Sequence, residues 1–179
     1  MANKDIIHFI ITGGTIDSYY NGSKDTVVPN EHSVIFSYLK SIGLDENKVG
    51  YTEICMKDSR HLDQSDLQAV LGTIENNCFN KFIITHGTYT MPDTARFLEA
   101  RLERKRVTVV LTGSMIPLIG FSPSDAGFSL GYAVAQVRQL PSGVYVCMQG
   151  ETFKPNEVAK DMGRGRFYSI LGEGKKHDR

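Results

Sequence analysis

The chain has 179 residues, 41% of them hydrophobic, and its 20 basic and 20 acidic side chains give a net charge of zero. That hydrophobic fraction excludes a disordered chain, and the length suits one domain with a sizeable core. Zero net charge excludes a field that would draw the protein to nucleic acid or to an anionic membrane, so we expect neither as a partner.

The cysteines and the N-terminal residues bear on cellular location. Cys55, Cys78 and Cys147 have neither metal-binding nor redox spacing, so we expect reduced thiols, no metal site and no cofactor. Residues 1–5 lead directly into a strand-like segment, which leaves no room for a signal peptide. No apolar run approaches the roughly 20 residues that span a bilayer. We therefore expect a cytoplasmic protein.

In the first third of the chain, a strand-like segment is followed by a polar stretch and a helix. Residues 6–11 form an apolar first strand, and residues 17–30 are polar, which is typical of a mobile loop. Asn30 is placed to cap a helix that ends at Gly43. Residues 51–55 form the second predicted strand.

The central part of the chain repeats this alternation of helix and strand. Asp63 is the predicted N-cap of a second helix, and Pro92 suits the first turn of a third. Residues 82–84 and 107–111 are the third and fourth strands. The run 101–106 is basic, but it ends a helix, where cations are favourable, and we interpret it as a solvated face.

After the fourth strand the pattern weakens towards the C-terminus. Ser122 or Ser124 begins the next predicted helix, and residues 144–148 form a fifth strand. Past Gly150 we expect loops or short edge strands, and residues 171–179 form a charged tail that we expect to be flexible. The alternation predicts one three-layer α/β/α domain over residues 1–170, with a mainly parallel sheet of flavodoxin-like or Rossmann-like type.

Glycines and hydroxyl groups follow three of the predicted strands, in residues 12–15, 85–88 and 112–114. Ligands bind such sheets at the carboxyl ends of the strands, so these turns predict one polar pocket that contains the Thr15 hydroxyl. A threonine becomes a nucleophile only beside a base and a polarised electrophile. The alternative is a hydroxyl that merely satisfies backbone groups in a tight turn.

Together, the order and spacing of these segments resemble the N-terminal domain of the bacterial-type L-asparaginases, over residues 6–168. The resemblance implies an amidohydrolase that forms an acyl-enzyme on Thr15. It implies that the Thr88 hydroxyl supports the reaction and that Lys160 is the base. Lys160 ends the segment Val-Ala-Lys, which matches the family's Val-x-Lys. Without the resemblance, Lys160 is one solvated lysine among many.

The same resemblance implies a set of binding residues for a small amide or carboxylate. It implies that Ser59 and Arg60 bind the substrate carboxylate and that backbone amides of the glycine turns stabilise the oxyanion. It also implies that a tyrosine of a mobile loop, Tyr19 or Tyr20, is part of a lid. His86 is implied to be structural. The substrate-binding set is Gly14, Asp58, Ser59, Arg60, Gly87, Tyr89 and Ser114. For Ser124 and Asp125, which match a family pair, we favour a helix N-cap.

Two pocket positions depart from the family pattern. Tyr89 stands where the family has the aspartate that pairs with the substrate's α-ammonium, and Arg60 stands where a neutral residue is usual. A charge-assisted contact contributes about 1.5–3 kcal/mol, so its loss makes free asparagine a doubtful substrate. We expect the site to prefer a small monoanion over a zwitterionic amino acid.

The family's C-terminal domain has no counterpart in this sequence, although in the family it supplies an acidic residue to a neighbouring subunit's site. We expect the chain to self-associate, because an uncovered pocket rim would leave apolar surface exposed. The alternative function is a catalytically silent module that binds a small anionic metabolite or a partner protein. Tyr89 and Arg60 remove the recognition of a free amino acid, which favours the binding module. Thr15, Thr88 and Lys160 are kept, which favours the enzyme.

Overall fold

The computed structural model describes residues 6–171 as a central sheet with helices on both faces. The strands are β1 (Ile7–Gly13), β2 (Ser18–Asn21), β3 (Thr26–Pro29), β4 (Val49–Lys57), β5 (Lys81–Thr85), β6 (Thr108–Thr112), β7 (Gly143–Met148), β8 (Glu151–Phe153), β9 (Val158–Asp161) and β10 (Arg166–Ser169). The helices are α1 (Ile35–Ser41), α2 (Gln64–Asn76), α3 (Met91–Arg101) and α4 (Ala126–Gln139).

Six strands form the central sheet in the order β4-β1-β5-β6-β7-β8. Five of them are parallel, and only β8 runs antiparallel, beside β7. The other four strands form two separate hairpins, β2–β3 and β9–β10. The predicted mainly parallel sheet is confirmed, and the weak pattern past Gly150 corresponds to three short strands.

Each face of the sheet carries its own apolar core, because successive side chains of a strand point to opposite faces. On β5, Phe82 and Ile84 pack with residues of α2 and α3, whereas Ile83 packs with residues of α1 and α4. Parallel strands buried on both faces are expected to be continuously apolar, and β5 and β6 have this composition. The three-layer α/β/α prediction is confirmed.

The stretch 17–30, predicted as a mobile loop, instead contains the β2–β3 hairpin, so the predicted loop conformation was wrong, and its mobility stays a prediction. The carboxylate of Asp17, fully buried, accepts hydrogen bonds from the Asn30 side chain at 3.1 Å and the Val34 N–H at 2.9 Å. Asn30 is therefore used to close the hairpin rather than to cap α1, whose N-cap is Val34. Strands with mostly exposed side chains carry no hydrophobic alternation, and this is why the hairpin was missed.

Two helix starts were predicted correctly from residue types that favour the first turn of a helix. Asp63 begins α2 with a capping box that is completed by Asp66, and Pro92 lies in the first turn of α3. At α4 the N-cap is Asp125, as favoured, and the Ser124 Oγ accepts from the Ala126 N–H at 3.1 Å. The Asp125 carboxylate instead accepts from the amides of Met115 and Ile116, both at 2.9 Å.

The basic run 101–106 is not simply a solvated face. Arg104 turns inward and donates to the carbonyl oxygens of Ile74, Asn77 and Phe79 at 2.6–3.0 Å, which ties the end of α2 to the start of β5. Among the described residues, no helix is long and apolar enough to cross a membrane. The predicted tail, residues 171–179, lies outside the described residues apart from Leu171.

Candidate active site

Three strand ends meet through glycines that leave no room for a side chain. A Cβ on Gly14, after β1, would lie 2.4 Å from the Gly87 nitrogen, which follows β5. A Cβ on Gly87 would in turn lie 2.7 Å from the Ser59 hydroxyl oxygen, which follows β4. Distances this short are not tolerated, so only glycine permits these backbones to touch. This packing brings the turns after β1, β4 and β5 into contact.

The turn that carries Thr15 is built from two residues with positive φ, Gly13 at 87° and Gly14 at 83°. The Gly14 N–H donates to the Lys57 carbonyl at 2.9 Å, so this amide is not free to serve an oxyanion. Thr15 then opens a single 3-10 turn, and its side chain is half-buried. The main contribution of this glycine turn to the candidate site is therefore to place Thr15 at the end of β1.

Thr88 and Lys160, which are 72 positions apart in sequence, lie in direct contact. The Lys160 Nζ donates to the Thr88 Oγ1 at 2.7 Å, and Thr88 is only 4% exposed. Burial lowers the pKa of Lys160 from its ordinary value, because a desolvated ammonium is disfavoured. The neutral amine, which accepts a proton, is therefore more populated here than on a surface lysine.

The ring of Tyr89 lies between two cations. Its centroid is 4.5 Å from the Arg60 Cζ and 4.5 Å from the Lys160 Nζ. Aromatic faces attract cations through their quadrupole, so the ring holds both groups without adding a charge. An aspartate at this position would instead place a carboxylate beside Lys160.

The guanidinium of Arg60 already has a carboxylate partner. Its Nε donates to Asp58 at 3.0 Å and its terminal nitrogen at 2.7 Å, in the forked geometry typical of such pairs. The Arg60 side chain lowers the pKa of Asp58 by this hydrogen bonding. The charge that Arg60 adds is thus balanced by Asp58, and Lys160 is the remaining cation beside the ring.

The two serines have different surroundings. The Ser59 Oγ accepts from the Thr90 N–H at 3.4 Å, and the Thr90 hydroxyl donates back to the Ser59 carbonyl at 2.9 Å, which locks the two turns together. Ser114 is fully buried and donates to the Ile116 carbonyl at 2.6 Å. Thr90 was not anticipated from the sequence, although its place in the same glycine turn was the available signal.

The two lid candidates lie on the β2–β3 hairpin, with both side chains exposed. Tyr20 donates to the Asp25 carboxylate within the hairpin, and Tyr19 accepts from Asn21 at 3.4 Å. Adjacent strand residues point to opposite faces, so only one of the two can face the site. Asp17, which anchors the hairpin, was missed because it begins a polar stretch that resembles a solvated loop.

His86 is a structural residue within the described fold. The ring is fully buried between the Gly87 carbonyl, 2.7 Å from Nδ1, and the Thr94 hydroxyl, 2.9 Å from Nε2. These partners assign the proton to Nδ1, since a carbonyl can only accept. Burial lowers the pKa of His86 to about 4, so the ring stays neutral near pH 7 and clamps the turn against α3.

This arrangement of strand ends matches a known family. The family model for the N-terminal domain of asparaginases matches residues 6–166 of the chain. The chain belongs to the asparaginase family. The L-asparaginase of Thermococcus kodakarensis is 30% identical over 131 residues, which cover 70% of this chain and 39% of that protein.

Solved structures give the same assignment. A probable cytoplasmic L-asparaginase from Campylobacter jejuni matches with a TM-score of 0.77 at 25% identity, over 93% of this chain and 53% of its own. L-asparaginase I from Vibrio cholerae matches with a TM-score of 0.77 at 26% identity, over 93% and 51%. This asparaginase-family chain therefore spans about half the length of these structures.

Acid should destabilise this asparaginase-family chain through His86. Because the folded pKa is about 4 and the unfolded value is 6.5, stability is complete above pH 6.5 and is lost as pH falls through 4. The difference corresponds to roughly 3 kcal/mol. We expect His86→Asn, which keeps a donor for Gly87, to flatten this dependence in urea unfolding measured across that range.

His61→Asn, at an exposed histidine, is the matched control and should keep the wild-type dependence. Some dependence should remain in His86→Asn, because burial also lowers the pKa of His8. An unchanged slope in His86→Asn would show that protonation of His86 does not limit acid stability.

Proposed function

We propose that this chain hydrolyses a small amide that carries a carboxylate, using Thr15 as the nucleophile and releasing ammonia. The observation that carries the proposal is the 2.7 Å contact between Lys160 and Thr88, beside the turn that presents Thr15. A partly buried lysine with a lowered pKa that contacts a buried hydroxyl is suited to proton transfer. Membership of the asparaginase family supports the same reaction.

In the proposed reaction the Thr15 oxygen attacks the amide carbon, and its proton passes to the hydroxyl and amine of the Thr88–Lys160 pair. The carbon–nitrogen bond breaks and the nitrogen leaves as ammonia after it takes up that proton. Water then hydrolyses the threonine ester with the same pair as base. Since the neutral amine of Lys160 is required, the rate should rise with pH through the lowered pKa of Lys160.

Ammonia release over a panel of small amides tests the nucleophile and the base. We expect Thr15→Ala to abolish the activity and Lys160→Met to reduce kcat by about 10²–10⁴-fold, the usual contribution of general acid–base catalysis. Thr73→Ala is a matched control, because the Thr73 hydroxyl only bonds to Ala69 within α2. Lys154→Met is the second, because Lys154 also lies on a tyrosine ring, 4.0 Å from the centroid of Tyr145.

Full activity in Thr15→Ala would contradict the threonine mechanism. Absence of ammonia release from the wild-type chain, on every amide and at every pH, would favour a silent binding module instead.

We further propose that the substrate lacks an α-ammonium group. Lys160 and Arg60 occupy the two cation contacts of Tyr89, and the Asp58 carboxylate is bound by Arg60. An α-ammonium would meet Lys160 without a free carboxylate to receive it. A substrate carboxylate is instead favoured by the remaining donors of Arg60.

Calorimetry with succinamate and L-asparagine, which differ only in the α-amino group, tests this substrate class. We expect succinamate to bind more tightly to the wild type, and Tyr89→Asp to shift the ratio towards L-asparagine by about ten- to hundredfold. Arg60→Gln should shift it in the same direction, because it frees the Asp58 carboxylate. Tyr89→Phe keeps the ring and is the control. Tighter binding of L-asparagine to the wild type would reject the charge argument.

Self-association in the cytoplasm is the last part of the proposal. Several large apolar side chains are exposed, among them Ile119, Phe121 and Phe128, and such surface is usually covered by a partner. The three cysteines are free thiols, as suits a reducing compartment. Sedimentation at rising protein concentration should show a dimer or larger species. A monomer throughout the high micromolar range would reject self-association.

A further inference from the structure

The hairpin that carries Lys160 is not part of the central sheet. Among residues 6–171, strands β9 and β10 pair only with each other, with Lys160 directly opposite Phe167. Val158 and Phe167 share a face with Lys160 and are buried in the core, which turns the lysine inward. Apolar packing is non-directional, however, and does not by itself fix the position of an ammonium group.

One polar side chain joins this hairpin to the central sheet. Gln149 lies in the turn between β7 and β8, and its amide bonds twice to the backbone of the hairpin. Its Nε2 donates to the Gly165 carbonyl at 3.0 Å, and its Oε1 accepts from the Phe167 N–H at 3.0 Å. Both polar atoms of the Gln149 side-chain amide therefore form hydrogen bonds with the backbone of β10 and of the β9–β10 turn.

The backbone of Gln149 is in a conformation that glutamine rarely adopts. Its φ is 56°, in the left-handed region that favours glycine. Residues outside glycine persist in this region where their surroundings hold them there, and such positions concentrate at functional sites. In this backbone conformation, the Gln149 side chain forms the two hydrogen bonds to the hairpin.

The hydrogen bond from the Phe167 N–H to Gln149 lies at the residue that pairs with Lys160 across the hairpin. Because the Phe167 N–H is donated to Gln149 and not to β9, Phe167 and Lys160 form a close, non-hydrogen-bonded pair. At the other end of β9, Arg96 of α3 donates to the Val158 carbonyl at 2.7 Å. Strand β9 is therefore held on both sides of Lys160, by Arg96 directly and by Gln149 through its partner strand.

We propose that Gln149 is a positioning residue that fixes the β9–β10 hairpin, and with it the Lys160 amine, over the Thr88 hydroxyl. The proposal rests on the proposed function, in which Lys160 is the base. Gln149 makes no hydrogen bond to Lys160 or Thr88, so it acts through the backbone of Gly165 and Phe167. Loss of the amide should let the hairpin move outward and rehydrate Lys160.

Competitive chemical labelling of lysines, read by peptide mass spectrometry across a pH series, tests the proposal without turnover. In the full chain, Gln149→Gly and Gln149→Asn both tolerate the left-handed backbone, but neither spans to the hairpin. We expect the labelling midpoint of Lys160 to rise towards that of an ordinary lysine. Labelling below the midpoint, normalised to its plateau, should fall about threefold or more, since the neutral fraction follows the pKa.

Asp25→Gly is the matched control, because Asp25 is the other described non-glycine residue with positive φ, at 50°, and lies in the distant β2–β3 turn. It should leave the Lys160 midpoint unchanged, and Lys154 should be unchanged in every variant. An unaltered Lys160 midpoint in both Gln149 variants would overturn the proposal, as would an equal change at Lys154. Absence of ammonia release in the wild type would refute the proposed function alone, because the labelling result does not depend on activity.

Discussion

The close approach of Gly14 and Gly87 is the contact on which the rest of the site depends. Parallel pairing of β1 with β5 brings the two strand ends to one edge of the sheet, but only the missing side chains let the turns touch. Gly87 makes the same approach to Ser59, so the ends of β4, β1 and β5 form one continuous wall. Any larger residue at either glycine would force Thr15 and Thr88 apart.

In the proposed reaction, the chemistry depends on one partly buried amine. Lys160 comes from outside the central sheet, donates to the Thr88 Oγ1 at 2.7 Å and lies 4.5 Å from the centroid of the Tyr89 ring. A carboxylate in place of that ring would stabilise the charged amine and would favour a cationic substrate group. Compared with a carboxylate, the tyrosine ring therefore stabilises the charged amine less, and it leaves an α-ammonium without an ionic partner.

The sequence was informative where the signal was local. The apolar runs of β5 and β6, the N-cap at Asp63 and the glycine turns were all identified correctly because neighbouring residues determine them. The position of Lys160 was inferred from a family motif, since nothing in its own segment separates it from a solvated lysine. The β2–β3 hairpin was missed because its exposed strands lack an apolar face, and its anchor, Asp17, is buried by residues further along the chain.

Contacts between distant turns were beyond the reach of the sequence. The pairing of Arg60 with Asp58 is local, but residue types alone did not show that Asp58 balances the charge of Arg60. The inward turn of Arg104 and the amide of Gln149 depend on where separate elements dock. These contacts arise from tertiary packing, for which residue type and spacing carry little information.

The most direct test of the account is detection of the covalent intermediate on the nucleophile. The chain would be mixed with an amide that it hydrolyses, quenched in acid and measured by intact-mass and peptide mass spectrometry. The account predicts an added acyl mass that maps to Thr15 and is absent in Thr15→Ala. Turnover with no acyl adduct at any quench time, or an adduct on Thr88 instead, would contradict it.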